Sequence, residues 1–152
     1  MLHRLAARWA CAIFMQTMPL LPTPPGGWPY AYDPCIKHRR RTDGPAAFER
    51  RDGVLVGVCA SDIGHADAVL LLRGGIGWGV DAEQPHPTYI FAVHAGIPYK
   101  AVWTGDMGET VHGYPCHPRK DLAHLRDVRR RLEQAARDAG CGNAFRTWMN
   151  QP

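Results

Sequence analysis

A histidine, a tyrosine, two lysines and an arginine fall within a short stretch of this sequence. His112 and Tyr114 alternate in Val111-His112-Gly113-Tyr114, Lys100 lies in Tyr99-Lys100-Ala101-Val102, and Arg119 and Lys120 follow Pro118. Cleavage of RNA without a metal needs a base for the 2′-hydroxyl, an acid for the leaving oxygen and cations for the phosphorane charge. His112 and Tyr114 suit the two proton transfers, and Lys100 and Arg119 suit the phosphate. In extended chain His112 and Tyr114 share a face, as do Lys100, Val102 and Thr104. These four residues are the expected catalytic set. The competing explanation is that His112 and Tyr114 are half-buried sheet residues with polar tips.

Basic residues supply a second element of the same reading. The run Lys37-His38-Arg39-Arg40-Arg41 has no acidic neighbour until Asp43, so Lys37, Arg39, Arg40 and Arg41, with Lys120, are the candidates for nucleic-acid contact. The arginines between Arg126 and Arg137 are weaker candidates. They alternate with Asp127, Glu133 and Asp138, the ordinary composition of a solvated helix face. Small sheet-based ribonucleases, bacterial toxins among them, use a constellation of this chemical style, although no family motif is matched.

Other chemistry has to be weighed against it. Cys59, at a strand end before a possible helix, and His94, at another strand end, would make a Cys–His hydrolase. Cys35 with His38 and Cys116 with His117 offer four ligands for a tetrahedral zinc. Adjacent residues rarely ligate one ion, however, and the two pairs lie far apart in the chain, so neither a metal nor a cofactor is expected. A zinc deaminase is excluded, because Gly96 stands where the proton-shuttling glutamate is needed and Arg119 where a second cysteine is needed. The remaining alternative is a non-catalytic binding module, an accessory or antitoxin-like protein with a protein partner. The expected function is a metal-independent ribonuclease or toxin-like enzyme with RNA as its partner.

The elements that must hold these residues follow from pattern. The chain has 152 residues, 45% hydrophobic and 21% charged, with a net charge of +4, which suits one globular domain. Five widely spaced cysteines with no C-x-x-C pair favour reduced thiols and a cytoplasmic setting. The interrupted apolar run Trp9 to Met15 makes secretion the alternative, and no stretch is long and apolar enough for a transmembrane segment. Residues 1–18 read as an amphipathic helix or signal-like lead. Residues 19–34, rich in proline, read as an irregular covering arm, and 35–152 as the domain.

Within the domain, Ala46 to Arg51 reads as a short helical piece and Val54 to Cys59 as a buried strand. Ser61 onward reads as a helix, with a strand over Ala68 to Leu72 as the alternative, and Gly74 to Gly79 as a flexible turn. Thr88–His94, Tyr99–Thr104 and Glu109–Tyr114 form a three-strand meander with short glycine-containing turns. Pro118 to Ala139 is one long helix, its apolar face carrying Leu122, Leu125, Val128 and Leu132 and its end set by Gly140. The expected fold is α+β: an antiparallel sheet of about four strands packed by that C-terminal helix, with the proline-rich arm outside.

Overall fold

The computed structural model describes residues 19–35, 38–39, 42–80, 86–104 and 109–152. The expected N-terminal helix, most of the basic run and the Gly105–Gly108 turn lie outside the described residues. In chain order the elements are β1 (Leu20–Leu21), β2 (Ala31–Tyr32), β3 (Ala47–Arg51), β4 (Val54–Val58), α1 (His65–Arg73) and β5 (Ile76–Val80). They continue with β6 (Pro87–His94), β7 (Ile97–Thr104), β8 (Thr110–Pro115), α2 (Pro118–Asp121), α3 (Arg126–Asp138) and α4 (Gly142–Met149). No helix among the described residues is long and apolar enough to cross a membrane.

The fold is α+β, but its sheet is larger than the pattern implies. Six strands run in the order β1-β5-β6-β7-β8-β2, and β3 with β4 makes a separate two-stranded sheet. The β2–β8 pair is parallel and the remaining pairs are antiparallel, so the large sheet is mixed. The arm is therefore not merely an outer cover, since it supplies both edge strands. Between its prolines it has enough N–H groups to pair: Ala31 donates to the Glu109 carbonyl at 3.1 Å and Asp33 to that of Val111 at 2.7 Å.

The β6–β7–β8 meander stands where β-branched and aromatic residues alternate. Ala95 and Gly96, at φ +49° and +82°, close a two-residue hairpin whose twist matches its strands. Three local expectations are overturned. Ala47 to Arg51 is a strand, because Asp52-Gly53 closes a similar hairpin that pairs Arg51 with Val54. Ile76 to Val80 is a strand too. Gly77 serves close packing there, since an added Cβ would stand 2.8 Å from the Trp28 ring. The long C-terminal helix is broken: α2 stops at Asp121, and Leu122 turns wholly into the core before α3 begins. The helical reading of Ala68 to Leu72 holds within α1.

Successive residues of β6 point into two different cores. Phe91 packs with Val128, Leu132 and Ala136 of α3 and with Phe145 of α4. Ile90, on the other face, packs with Leu72 of α1, with Trp28 from the arm and with Val111. That alternation fixes which side of β7 and β8 each polar residue occupies.

Candidate functional site

Lys100 and Tyr114 are cross-strand partners on β7 and β8, and so are Val102 and His112. All four lie on the Phe91 side of the sheet, because Phe91 pairs with Lys100. The chain is brought to them by β2. Tyr32 pairs in parallel with Val111, so the residues after Tyr32 continue along the edge of β8 toward Tyr114. The His38 N–H donates to the Cys35 carbonyl at 3.1 Å, which ties Cys35 and His38 together.

The His38 ring lies nearly parallel to two others. Its centroid is 4.6 Å from that of Tyr114 and 5.2 Å from that of His112. His38 is only 8% exposed. Its Nδ1 stands 2.7 Å from the Gly57 carbonyl oxygen, and the Cys59 N–H donates back to the His38 carbonyl at 3.0 Å. A carbonyl can only accept, so Nδ1 carries a hydrogen, and in the neutral ring Nε2 keeps the lone pair. The Cys35 sulfur and one ring nitrogen from each of His38 and His112 lie within 4.8 Å of one another. These residues line a cleft of about 440 Å³, together with Phe48 of β3 and with His117, Lys120 and Asp121 at α2. Cys35 and His38 also wall a second cleft of about 430 Å³, which Arg39 and Cys59 join.

The expected catalytic residues are brought together only in part. His112 and Tyr114 both line the cleft. Burial pushes the Tyr114 hydroxyl above its ordinary value, with Lys100 pulling in the other direction, so it is a proton donor at neutral pH. Lys100 lies beneath them as an internal ion pair. Its Nζ is 2.6 Å from Asp121 Oδ1, while Asp121 Oδ2 accepts from the His117 N–H at 2.7 Å. Burial works against the Lys100 charge, and the Asp121 carboxylate outweighs it, leaving the lysine pKa raised. The ammonium also sits 4.6 Å from the Tyr89 ring centre and 5.5 Å from that of Tyr114. Arg119 is exposed and absent from the cleft wall, whereas the exposed Lys120 forms part of it. Of the basic run, Lys37, Arg40 and Arg41 lie outside the described residues, and Arg39 stands at the second cleft.

The other two candidate chemistries take definite positions. Burial pushes the Cys59 thiol up to about 11, and its sulfur lies 3.6 Å from the Gly113 carbonyl oxygen. Cys59 lines two clefts, and His94 lies in the wall of neither. Cys116 is wholly buried in the α3–α4 core, and His117 Nδ1 accepts the Arg119 N–H at the start of α2. The four-ligand arrangement of Cys35, His38, Cys116 and His117 is therefore not assembled; His112 joins the first pair instead. The C-x-x-H spacing is the visible sequence signal for this group, but its third member comes from a distant strand. Comparison with family models, curated protein sequences and solved structures finds no match.

Proposed function

We propose that the cleft over β7 and β8 is the reaction centre of a small phosphodiester-cleaving enzyme whose substrate class is RNA. The observation that carries this reading is the packing of His38 against both His112 and Tyr114 at an open cleft. Proton acceptance falls to the His112 end and proton donation to the Tyr114 hydroxyl. In the reaction, the 2′-hydroxyl loses its proton at the His112 end as its oxygen attacks phosphorus. The bond from phosphorus to the 5′-oxygen breaks, and Tyr114 supplies the proton that this oxygen takes, leaving a 2′,3′-cyclic phosphate. Solvent then takes the proton held at His112 and returns one to Tyr114, so both groups are reset. Lys100 positions Tyr114 and steadies its anion. The phosphate contact moves to Lys120, which lines this cleft, and to Arg39, which lines the second cleft beyond Cys35 and His38.

The test is cleavage of a defined RNA oligonucleotide by tag-free protein. Replacing His112 with Ala should lower the rate by about a hundredfold or more, the usual contribution of a proton-transfer group, while circular dichroism stays unchanged. A substrate with a 2′-deoxy sugar at the cleavage site should resist. Intact RNA at high protein concentration both with and without added zinc chloride, or cleavage that survives the His112 change, overturns the reading. The internal pairing of Lys100 with Asp121 favours a second reading in that event, a module that binds its partner without cutting it.

A further inference from the structure

We propose that Cys35, His38 and His112 form a binding site for one zinc ion, with a fourth coordination position facing the cleft. The three side chains come from two separate parts of the chain, yet their ligand atoms lie within 4.8 Å of one another. Zinc held at about 2.0–2.3 Å by sulfur and nitrogen sets its ligands roughly 3.3–3.8 Å apart, so closure needs an inward movement of about 1 Å.

Two further features fit a metal site. His38 donates through Nδ1 to the Gly57 carbonyl at 2.7 Å, the outer contact that fixes a ligating imidazole in one tautomer and aims its other nitrogen. The carbonyl is itself held in place, because β4 approaches β8 closely; an added Cβ at Gly57 would lie 2.8 Å from the Pro115 oxygen. The donor set is one thiolate and two neutral imidazoles. Borderline-soft zinc takes such a set, whereas magnesium and calcium require oxygen ligands. Three protein ligands with an open position is the arrangement of a reactive zinc rather than of a closed structural one.

The site stands independently of the ribonuclease reading and meets it in one consequence. A bound zinc would polarise a coordinated water and lower its pKa to near 7; that water would lose a proton to solvent, and the hydroxide would take the 2′-hydroxyl proton. His112 then acts as a ligand, and the metal-free scheme expected from the sequence gives way to a zinc-assisted one.

The experiment uses tag-free protein, incubated with zinc chloride, desalted and analysed for metal by mass spectrometry. About one zinc per chain is expected, falling to below about a tenth of an equivalent in Cys35→Ser and in His112→Gln, each checked by circular dichroism. Cys59→Ser and His117→Gln should retain zinc. Cobalt(II) substitution should give a thiolate-to-metal charge-transfer band that Cys35→Ser abolishes. Wild-type protein that takes up no stoichiometric zinc overturns the site, and so does full retention by both ligand variants. RNA left intact by zinc-loaded protein counts against the ribonuclease reading alone. RNA cut by zinc-free protein at an undiminished rate overturns the zinc-assisted step and leaves that reading standing.

Discussion

Phe91, Lys100 and Tyr114 form one row across three neighbouring strands and point to the same side of the sheet. At one end Phe91 is fully buried beneath α3 and α4, in a core whose nearest members are almost all apolar. At the other end Tyr114 faces a cleft, and Lys100 between them keeps its charge by pairing with Asp121. The strands differ little along the row; what differs is the cover. An amphipathic helix seals one half, while the short α2 and the β3–β4 hairpin leave the other half open. The closed half stabilises the fold, and the open half retains polar groups at a cost that the closed half must offset.

The sharpest way to test that contrast is to damage the closed half. Leu132 is fully buried among Phe91, Val128 and Ala136. Leu132→Ala should cost about 2–5 kcal/mol in denaturant unfolding, the transfer and cavity terms together. A loss below about half a kilocalorie would mean that the helix does not carry the core. Leu125 is a weaker choice, because it is only partly buried at the N-cap of α3.

A smaller loss is expected from the open half. Asp121→Asn removes the negative partner of Lys100, whose side chain is only 12% exposed, and should cost about 1–3 kcal/mol. That is below the loss for a fully buried pair, because both side chains keep some contact with water. The sign of the pH dependence follows from the raised lysine pKa. While the carboxylate is ionised, the lysine's contribution is complete below 10.5, the ordinary lysine value, and is lost as pH rises through the higher folded value. The gap between wild type and variant should therefore be constant through neutral pH and narrow only in strong alkali. A gap that closes between pH 7 and 9 would show that Lys100 does not hold its charge in this way.

The closed half was far more legible in the sequence than the open one. Period-two runs with glycine turns mark β6, β7 and β8 to within about two residues, and helical spacing marks α3, because both signals are local. Val128 and Leu132 belong to the same seam in pattern and in structure. The strands β1, β2 and β5 are not visible in this way, since β1 and β2 are two-residue edges in a proline-rich arm with partners distant in sequence, and Gly77 and Gly79 interrupt β5. The site divides along the same line. His112 and Tyr114 on one face follow from strand alternation, and the Cys35-x-x-His38 spacing is plain. Their convergence depends on the parallel pairing of Tyr32 with Val111, and no local pattern encodes that pairing. The burial of Lys100 depends equally on α2 stopping at Asp121.

The smallest expected effect separates two cysteines that share a cleft. Cys35 and Cys59 both line the second cleft, yet they belong to different surroundings. Cys35 stands beside the two imidazoles. Cys59 sits near Tyr32 and Tyr99 with its sulfur 3.6 Å from the Gly113 carbonyl, and burial pushes its pKa from 9.0 up to about 11. The thiolate is the reactive form, so at pH 8 such a thiol presents roughly a hundredth of the thiolate of an ordinary one. Alkylation of Cys59 in the folded protein, followed peptide by peptide by mass spectrometry, should rise about tenfold per pH unit up to pH 10 without levelling off. Circular dichroism at each pH checks that the fold persists during the measurement. A rate that levels off near pH 9 would show an ordinary thiol, and the open half of the molecule would then extend through both clefts to Cys59.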